Sequence, residues 1–443
     1  MKYVITLALS LGSIVSWGQA KKQAAGPADQ LKKETAKAVK GDTGAMRRVG
    51  MLYYYGISVQ QNFLKANEWL NKAAAKGNTE AMVQLAGMYE DGEGVKQDAT
   101  KAITWLKKAA DKGNIEAIVN LGELYEEGEL VPKNLPEAVK YYQIAADKGS
   151  VDGMISLGLA YMEGNGLKAD QQLALSWLQK AVDKGEPVAL RYLADYYEEP
   201  DMGNDCPKAV ECYMKAADMG DTLSLRAVGE IVMAGTCPTA DTNKIIPWMQ
   251  AYAEKGYGDA AYFMARFHID GRGVKQSLAK AMDYFIKDAE FRMKKGELQS
   301  NSMKNLFLLY NINKLSLTRQ ERLLQWLETT AATTNDGYIM SGLGYIYTNK
   351  EEATAQDYTN AMSWSTKAAN KGNATGLYNI GYLYANGLGV TKDDKTAFTW
   401  IQKAAVKGDK IAMATLADFY DKGEGTAKDP IKAAEWKKKA EEE

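Results

Sequence analysis

Residues 77–112 read GNTEAMVQLAGMYEDGEGVKQDATKAITWLKKAADK, and this stretch carries the grammar of the whole chain. From Glu80 to Asp91 the apolar residues Ala81, Leu85, Met88 and Tyr89 recur at helical spacing, which gathers them on one side of an α-helix. Gly92-Glu93-Gly94-Val95 breaks that helix, because glycine enters the positive-φ region in which helices end. Asp98 stands where a second helix begins, its carboxylate free to accept the unpaired N–H groups of the first turn. The second helix carries Ala102, Trp105, Leu106, Ala109 and Ala110 on one face and stops at Gly113. The first helix of such a pair is helix A, the second helix B.

The pair repeats. Glycines fall at 41, 77, 113, 149, 185, 220, 256, 372 and 408, most of them 36 residues apart. Gly337 restores the phase 35 residues before Gly372, and the interval from 256 to 337 is 81, two units and nine residues. Asn62, Asn134, Asp170, Asp205, Ser277, Asp393 and Asp429 occupy the helix B cap, with Pro430 at the following first helical position, where a missing N–H costs nothing. Trp69, Trp105, Trp177, Trp248, Trp364, Trp400 and Trp436 recur at one place in helix B, followed by alanine pairs such as Ala73-Ala74 and Ala404-Ala405. A large ring against small alanines suits close packing between neighbouring helices. Eleven units from Gly41 to the C-terminus predict an all-α solenoid of about eleven antiparallel helix pairs over residues 41–443. Such an array escapes the size limit of a single core, because each unit adds its own piece.

The running pattern A-x-x-x-L-G-x-L-Y-x-x-G-x-G-V-x-x-D-x-x-K-A-x-x-W-x-x-K-A-A resembles the Sel1-like repeat, a relative of the tetratricopeptide repeat, most closely at 113–149, 149–185 and 372–408. The resemblance implies helix pairs stacked into a right-handed superhelix, an adaptor role, and A helices lining the concave surface. Two regions depart from the pattern. Around 185–256 the loop glycines give way to Pro200-Asp201-Met202-Gly203 and Gly235-Thr236-Cys237-Pro238. Around 291–336 only a helical outline remains, at Leu306–Tyr310 and Leu323–Leu327, preceded by the nine-residue excess near Phe291–Ser300. Either a kink in the superhelix or a plain misfit accounts for that excess.

Residues 29–40 read as a lone polar helix B, a cap from Asp29 to just before Gly41, and residues 21–28 as a flexible leader. Caps shield the outer face of a solenoid. Met1-Lys2, an apolar run from Val4 to Trp17 and Gly18-Gln19-Ala20 have the form of a secretory signal peptide over residues 1–20, cleaved after Ala20. The run is too short to span a bilayer. The expectation is an exported protein, periplasmic or secreted.

The chain carries 55 basic and 56 acidic residues, a net charge of −1. That balance argues against a nucleic-acid partner, which calls for a basic surface. Convergent catalytic residues are not legible, so the chain is read as a non-enzyme with no cofactor and no metal. The one histidine, His268, takes the place of Tyr89, Tyr125 and Tyr384 and reads as a core residue. Ser277-Leu278-Ala279-Lys280 matches the S-x-x-K nucleophile motif, but S-D-N and K-T-G are missing and the repeat explains it as a cap followed by the Lys-Ala lysine. Cys212 replaces the repeat tryptophan and reads as buried, whereas Cys206 and Cys237 fall in inter-helix loops of neighbouring units. In an oxidising compartment that pair is placed to form a disulfide.

With Ala81, Leu85 and Met88 toward the core, Gln84, Gly87 and Asp91 point away from it. The matching places form a column: Asn120, Glu123, Glu127, Ser156, Glu163, Tyr192, Asp195, Glu199, Glu230, Phe263, Arg266, Asp270, Asn379, Tyr382 and Asn386. Its middle is acidic and its end polar-aromatic. It reads either as a groove for a basic or extended protein segment, with asparagine bonding peptide backbone and tyrosine giving stiff contact area, or as a solvated helix face. The leading functional reading is a cell-envelope scaffold binding a protein or peptide partner. Beside it stand a cell-wall-acting or β-lactam-hydrolysing enzyme and a secreted effector that engages host proteins.

Overall fold

The computed structural model describes residues 27–297, 300–311 and 315–442. Among the described residues there are 23 helices and no strand. The expected signal peptide and residues 21–26 of the leader lie outside them. The capping helix begins earlier than Asp29: α1 runs Pro27–Val39, with proline in the first turn, where it is tolerated.

The chain divides into two compact units, the first ending at Asn204 and the second beginning at Asp205. The first contains α1 and then α2 Thr43–Tyr55, α3 Phe63–Ala75, α4 Thr79–Asp91, α5 Ala99–Asp111, α6 Ile115–Glu127, α7 Leu135–Asp147, α8 Val151–Glu163, α9 Gln171–Asp183 and α10 Pro187–Glu198. The second contains α11 Cys206–Asp218, α12 Thr222–Ala234, α13 Thr242–Glu254, α14 Gly258–Asp270, α15 Leu278–Lys294, α16 Asn301–Asn311 and α17 Leu317–Thr334. It continues with α18 Gly337–Thr348, α19 Ala355–Asn370, α20 Ala374–Asn386, α21 Asp394–Val406, α22 Lys410–Lys422 and α23 Pro430–Glu442. After α1, chain order gives eleven A–B pairs.

Local chemistry sets the ends. Asp98 accepts the Lys101 N–H at 3.0 Å and opens α5; Asn62, Asn134, Asp170, Asp205, Ser277, Asp393 and Asp429 open their B helices in the same way. Helix A has a cap that the repeat pattern did not single out. The residue after the terminating glycine does it: Asn78, Asn114, Asn373 and Asp409 accept the N–H three residues on. One dipeptide therefore ends helix B and starts the next helix A. The loop glycines divide their work. Gly92, at φ 74°, gives its N–H to the Met88 carbonyl and stops α4. Gly94 packs on the preceding pair, where a Cβ would lie 2.6 Å from Phe63 Cβ at the start of α3. Gly166 against Leu135 and Gly389 against Tyr358 make the same approach.

The core differs in depth from the sequence expectation. The repeat tryptophans are half-buried. The residue after them fills the centre: Leu70, Leu106, Leu178 and Ile401 are at most 1% exposed. Leu70 packs on Gly50, Leu178 on Gly158 and Ile401 on Gly381, so tightly that a Cβ on these glycines would come within 3.0 Å of the side chain. Indole is too large to vanish between two helices. Its outer face is covered instead by the lysine one turn on: Lys72 over Trp69, Lys108 over Trp105, Lys180 over Trp177, Lys367 over Trp364, Lys403 over Trp400 and Lys439 over Trp436, at 3.5–4.6 Å from the ring centre. Such cation–π contacts stabilise by about 0.5–1 kcal/mol each at exposed sites.

His268 is buried beside Tyr284, with Nδ1 3.1 Å from the Lys275 carbonyl, and burial lowers its pKa. The nine-residue excess is partly one extra turn of α15, which has 17 residues against the 13 of most helices here. Cys206 is the first residue of α11 and not a loop residue. A disulfide joins it to Cys237 in the α12–α13 connection, with Cα atoms 5.7 Å apart. Cys212 is buried and free.

Candidate functional site

In the first unit, three successive A helices bring carboxylates together. Glu123 and Glu127 stand one turn apart on the exposed side of α6. Glu90 of α4 and Asp152 of α8 join them. Glu123 keeps access to water yet is hemmed in by protein; that desolvation, and then the charges of Glu127, Asp152, Glu126 and Glu90, push its pKa up to about 7. Glu90 is pushed up to about 7 by desolvation, then by Asp91 and Glu127. Glu127 and Asp152 are raised as well, desolvation leading in both. The charges that bear most strongly on Glu90, Glu123 and Glu127 are all carboxylates. This is a local excess of negative charge, open to a cationic group.

Other members of the column in this unit surround it less closely. Gln84, Asn120 and Ser156 are half-buried on α4, α6 and α8. Glu163 is exposed and accepts a hydrogen bond from Asn165. Tyr192 and Asp195 are half-buried on α10, and burial raises the Tyr192 pKa ahead of the field of its neighbours. Glu199 is exposed but ends α10 as its C-cap, so it is not a helix-face residue. The sequence reading missed Glu90 and Asp152. Asp152 sits in the first turn of α8, where acids favour the helix dipole. Glu90 follows the core tyrosine Tyr89, outside the column.

In the second unit, Glu230 and Arg266 both line a cleft of about 830 Å³ built from α12, α14, the α15 end and the starts of α16 and α18. Glu230 accepts from Arg226 at 2.8 Å. Arg292 donates to Asp288 at 2.9 Å, Asp259 at 2.8 Å and Glu297 at 3.2 Å. Asp288 is fully buried; desolvation raises its pKa, while Ser302 and Arg292 work against that rise. None of Asp259, Asp288 and Arg292 was anticipated, because their grouping arises only when α14 and α15 pack. Two column members are buried. Asn379 is 5% exposed and donates to the Ser341 carbonyl of α18 at 2.9 Å, a core hydrogen bond between A helices. Phe263 is 7% exposed and lies over Gly229, which leaves room for its ring. Tyr382 and Asn386 are exposed on α20, Asn386 donating to the Tyr382 carbonyl. Among the described residues, no three His, Cys, Asp or Glu side chains are grouped to hold a metal ion, and no helix is long and apolar enough to cross a membrane.

Curated relatives match parts of the chain. A component of an ERAD-associated E3 ubiquitin-protein ligase, HRD3B of Arabidopsis thaliana, is 30% identical over 132 residues, 29% of this chain and 20% of that protein. Chitin synthase regulatory factor 3 of Schizosaccharomyces pombe is 24% identical over 250 residues, 47% of this chain and 26% of that protein. The chain thus spans about a fifth to a quarter of their lengths. Among solved structures, c5321, a protective antigen of uropathogenic Escherichia coli, is 30% identical with a TM-score of 0.49, covering 93% of this chain and 86% of that one. A Sel1 repeat protein of Oxalobacter formigenes is 27% identical with a TM-score of 0.41, covering 49% and 96%. The Sel1 repeat model matches residues 43–78, 79–114, 115–150, 151–186, 187–221, 258–290, 340–373, 374–409 and 410–443, passing over 222–257 in the first irregular stretch and 291–339 around the second. With well over half of its length matched, the chain belongs to the Sel1 repeat family.

Proposed function

We propose that this protein is a non-catalytic scaffold of the cell envelope, and that the A-helix face of its first unit takes a basic, extended segment of a protein partner. The carboxylates of Glu90, Glu123, Glu127 and Asp152 carry the reading. Four acids crowded on adjoining helices, with their strongest neighbours also acidic, destabilise the free protein; a lysine- or arginine-bearing segment relieves that repulsion. The relatives named as a ligase component and a regulatory factor support a role in assembly, not catalysis. The apolar N-terminal run and the Cys206–Cys237 disulfide support export into an oxidising compartment.

Pull-down from source-cell envelope extract tests this, with the Glu123→Lys/Glu127→Lys/Glu199→Lys protein as control. A specific protein captured by the native chain and lost by the reversed one is the expected result. Capture that survives the reversal removes the carboxylate face from the mechanism. Failure to retain any protein argues against the scaffold reading itself.

A further inference from the structure

The cleft of the second unit is a separate place, and its charges sort unequally. Arg226 is paired with Glu230, and Arg292 is surrounded by Asp259, Asp288 and Glu297. Asp336 accepts the Tyr338 and Ile339 N–H groups that open α18. Arg266 is different. Its one hydrogen bond among the described residues runs from Nη1 to the Tyr262 hydroxyl at 3.3 Å, and no carboxylate lies within ion-pair distance. A half-buried guanidinium in a cleft wall, with its fork open, suits a carboxylate. At the other end one guanidinium faces three carboxylates, which leaves a negative pole suited to an ammonium group.

The separation of the poles sets the ligand's length. Asp259 and Arg266 are seven residues apart on α14, two turns along one face, so their backbones are about 10 Å apart. An extended peptide advances about 3.3–3.6 Å per residue. Three residues therefore place a free amino group and a free carboxylate about that far apart. A cleft of about 830 Å³ falls in the range of sites for small ligands. We propose that this cleft binds a free peptide of about three residues, its carboxylate on Arg266 and its ammonium against Asp259 and Glu297. The surplus of acids turns away dianions such as phosphate. The site does not rest on the carboxylate face of the first unit, and reversal at Glu123 and Glu127 leaves it intact.

Calorimetric titration of the purified full chain with trialanine, its C-terminal amide and its N-acetyl form tests the assignment. Trialanine is expected to bind saturably, and each blocked form about ten-fold more weakly or worse, as loss of a charge-assisted contact implies. Arg266→Gln should weaken trialanine by a similar factor and leave the amide unchanged, with the same thermal melting as the native chain. Inorganic phosphate should not compete. Equal affinity for all three peptides, sensitivity to only one of the two blocks, or no saturation by about 10 mM trialanine overturns the proposal. So does an Arg266→Gln protein that melts normally and binds trialanine as before.

Discussion

Gly87 and Gly94 stand seven residues apart and meet opposite surroundings. Gly87 lies inside α4 with open space where a side chain would go. Glycine there only adds freedom to the unfolded chain, so Gly87→Ala is expected to stabilise by about 0.5–1 kcal/mol. Gly94 sits at φ 69°, and an added Cβ would strike Phe63 of α3 at 2.6 Å. A left-handed alanine plus that collision is expected to cost about 2 kcal/mol or more. Urea unfolding of the two variants, followed by circular dichroism, compares them directly. Shifts in the same direction would show that Gly94 is a loop residue without a docking role. The contrast also shows what a sequence conceals at this scale: both glycines are equally visible in residues 77–112, and only the neighbouring pair tells them apart.

Helices and their junctions were legible because each depends on near neighbours in the chain. The 36-residue glycine step and the Asp98-type caps placed both helices of nearly every pair. Depth was not legible. Periodicity says which side of helix B holds Trp105 and Leu106, but only packing decides that Leu106 is buried and Trp105 half-covered by Lys108. Asn379 was misplaced for a related reason: with Gly344 alongside, its amide has room to reach the spare lone pair of the Ser341 carbonyl. The Cys206–Cys237 disulfide ties α11 to the α12–α13 connection across 31 residues. Closing a loop of that size should stabilise by roughly 2–4 kcal/mol. Cys206→Ser/Cys237→Ser is therefore expected to speed amide hydrogen exchange in α11–α13. α4–α9 should be unchanged, because a solenoid passes stability mainly to adjoining units. Faster exchange throughout the chain would contradict that local reading, and unchanged exchange everywhere would mean the bond is idle.

Across the whole molecule positive and negative charges nearly cancel, at 55 and 56 residues, yet the first unit concentrates carboxylates on its A helices. A free glutamate titrates near pH 4.3, whereas Glu90 and Glu123 in the folded chain titrate at about 7. Between those values the folded state binds more protons than the unfolded state, so stability falls as pH rises through the window and the penalty is full above about pH 7. Acidification from about pH 8 to about pH 6 should therefore raise the melting temperature of the first unit. Glu123→Gln should raise it at the higher pH and flatten the dependence. Water access screens Glu123, which limits its share to roughly 1 kcal/mol. A basic partner segment would favour the ionised acids, so its binding should release protons and strengthen from about pH 6 to about pH 8, then weaken with added salt. Melts of the native and Glu123→Gln proteins at the two pH values in low salt decide the first half. A native melting temperature that falls on acidification, or a Glu123→Gln protein with the native slope, would mean that the carboxylates are too well hydrated to act on one another. The same result would remove the electrostatic basis for placing a basic partner on this face.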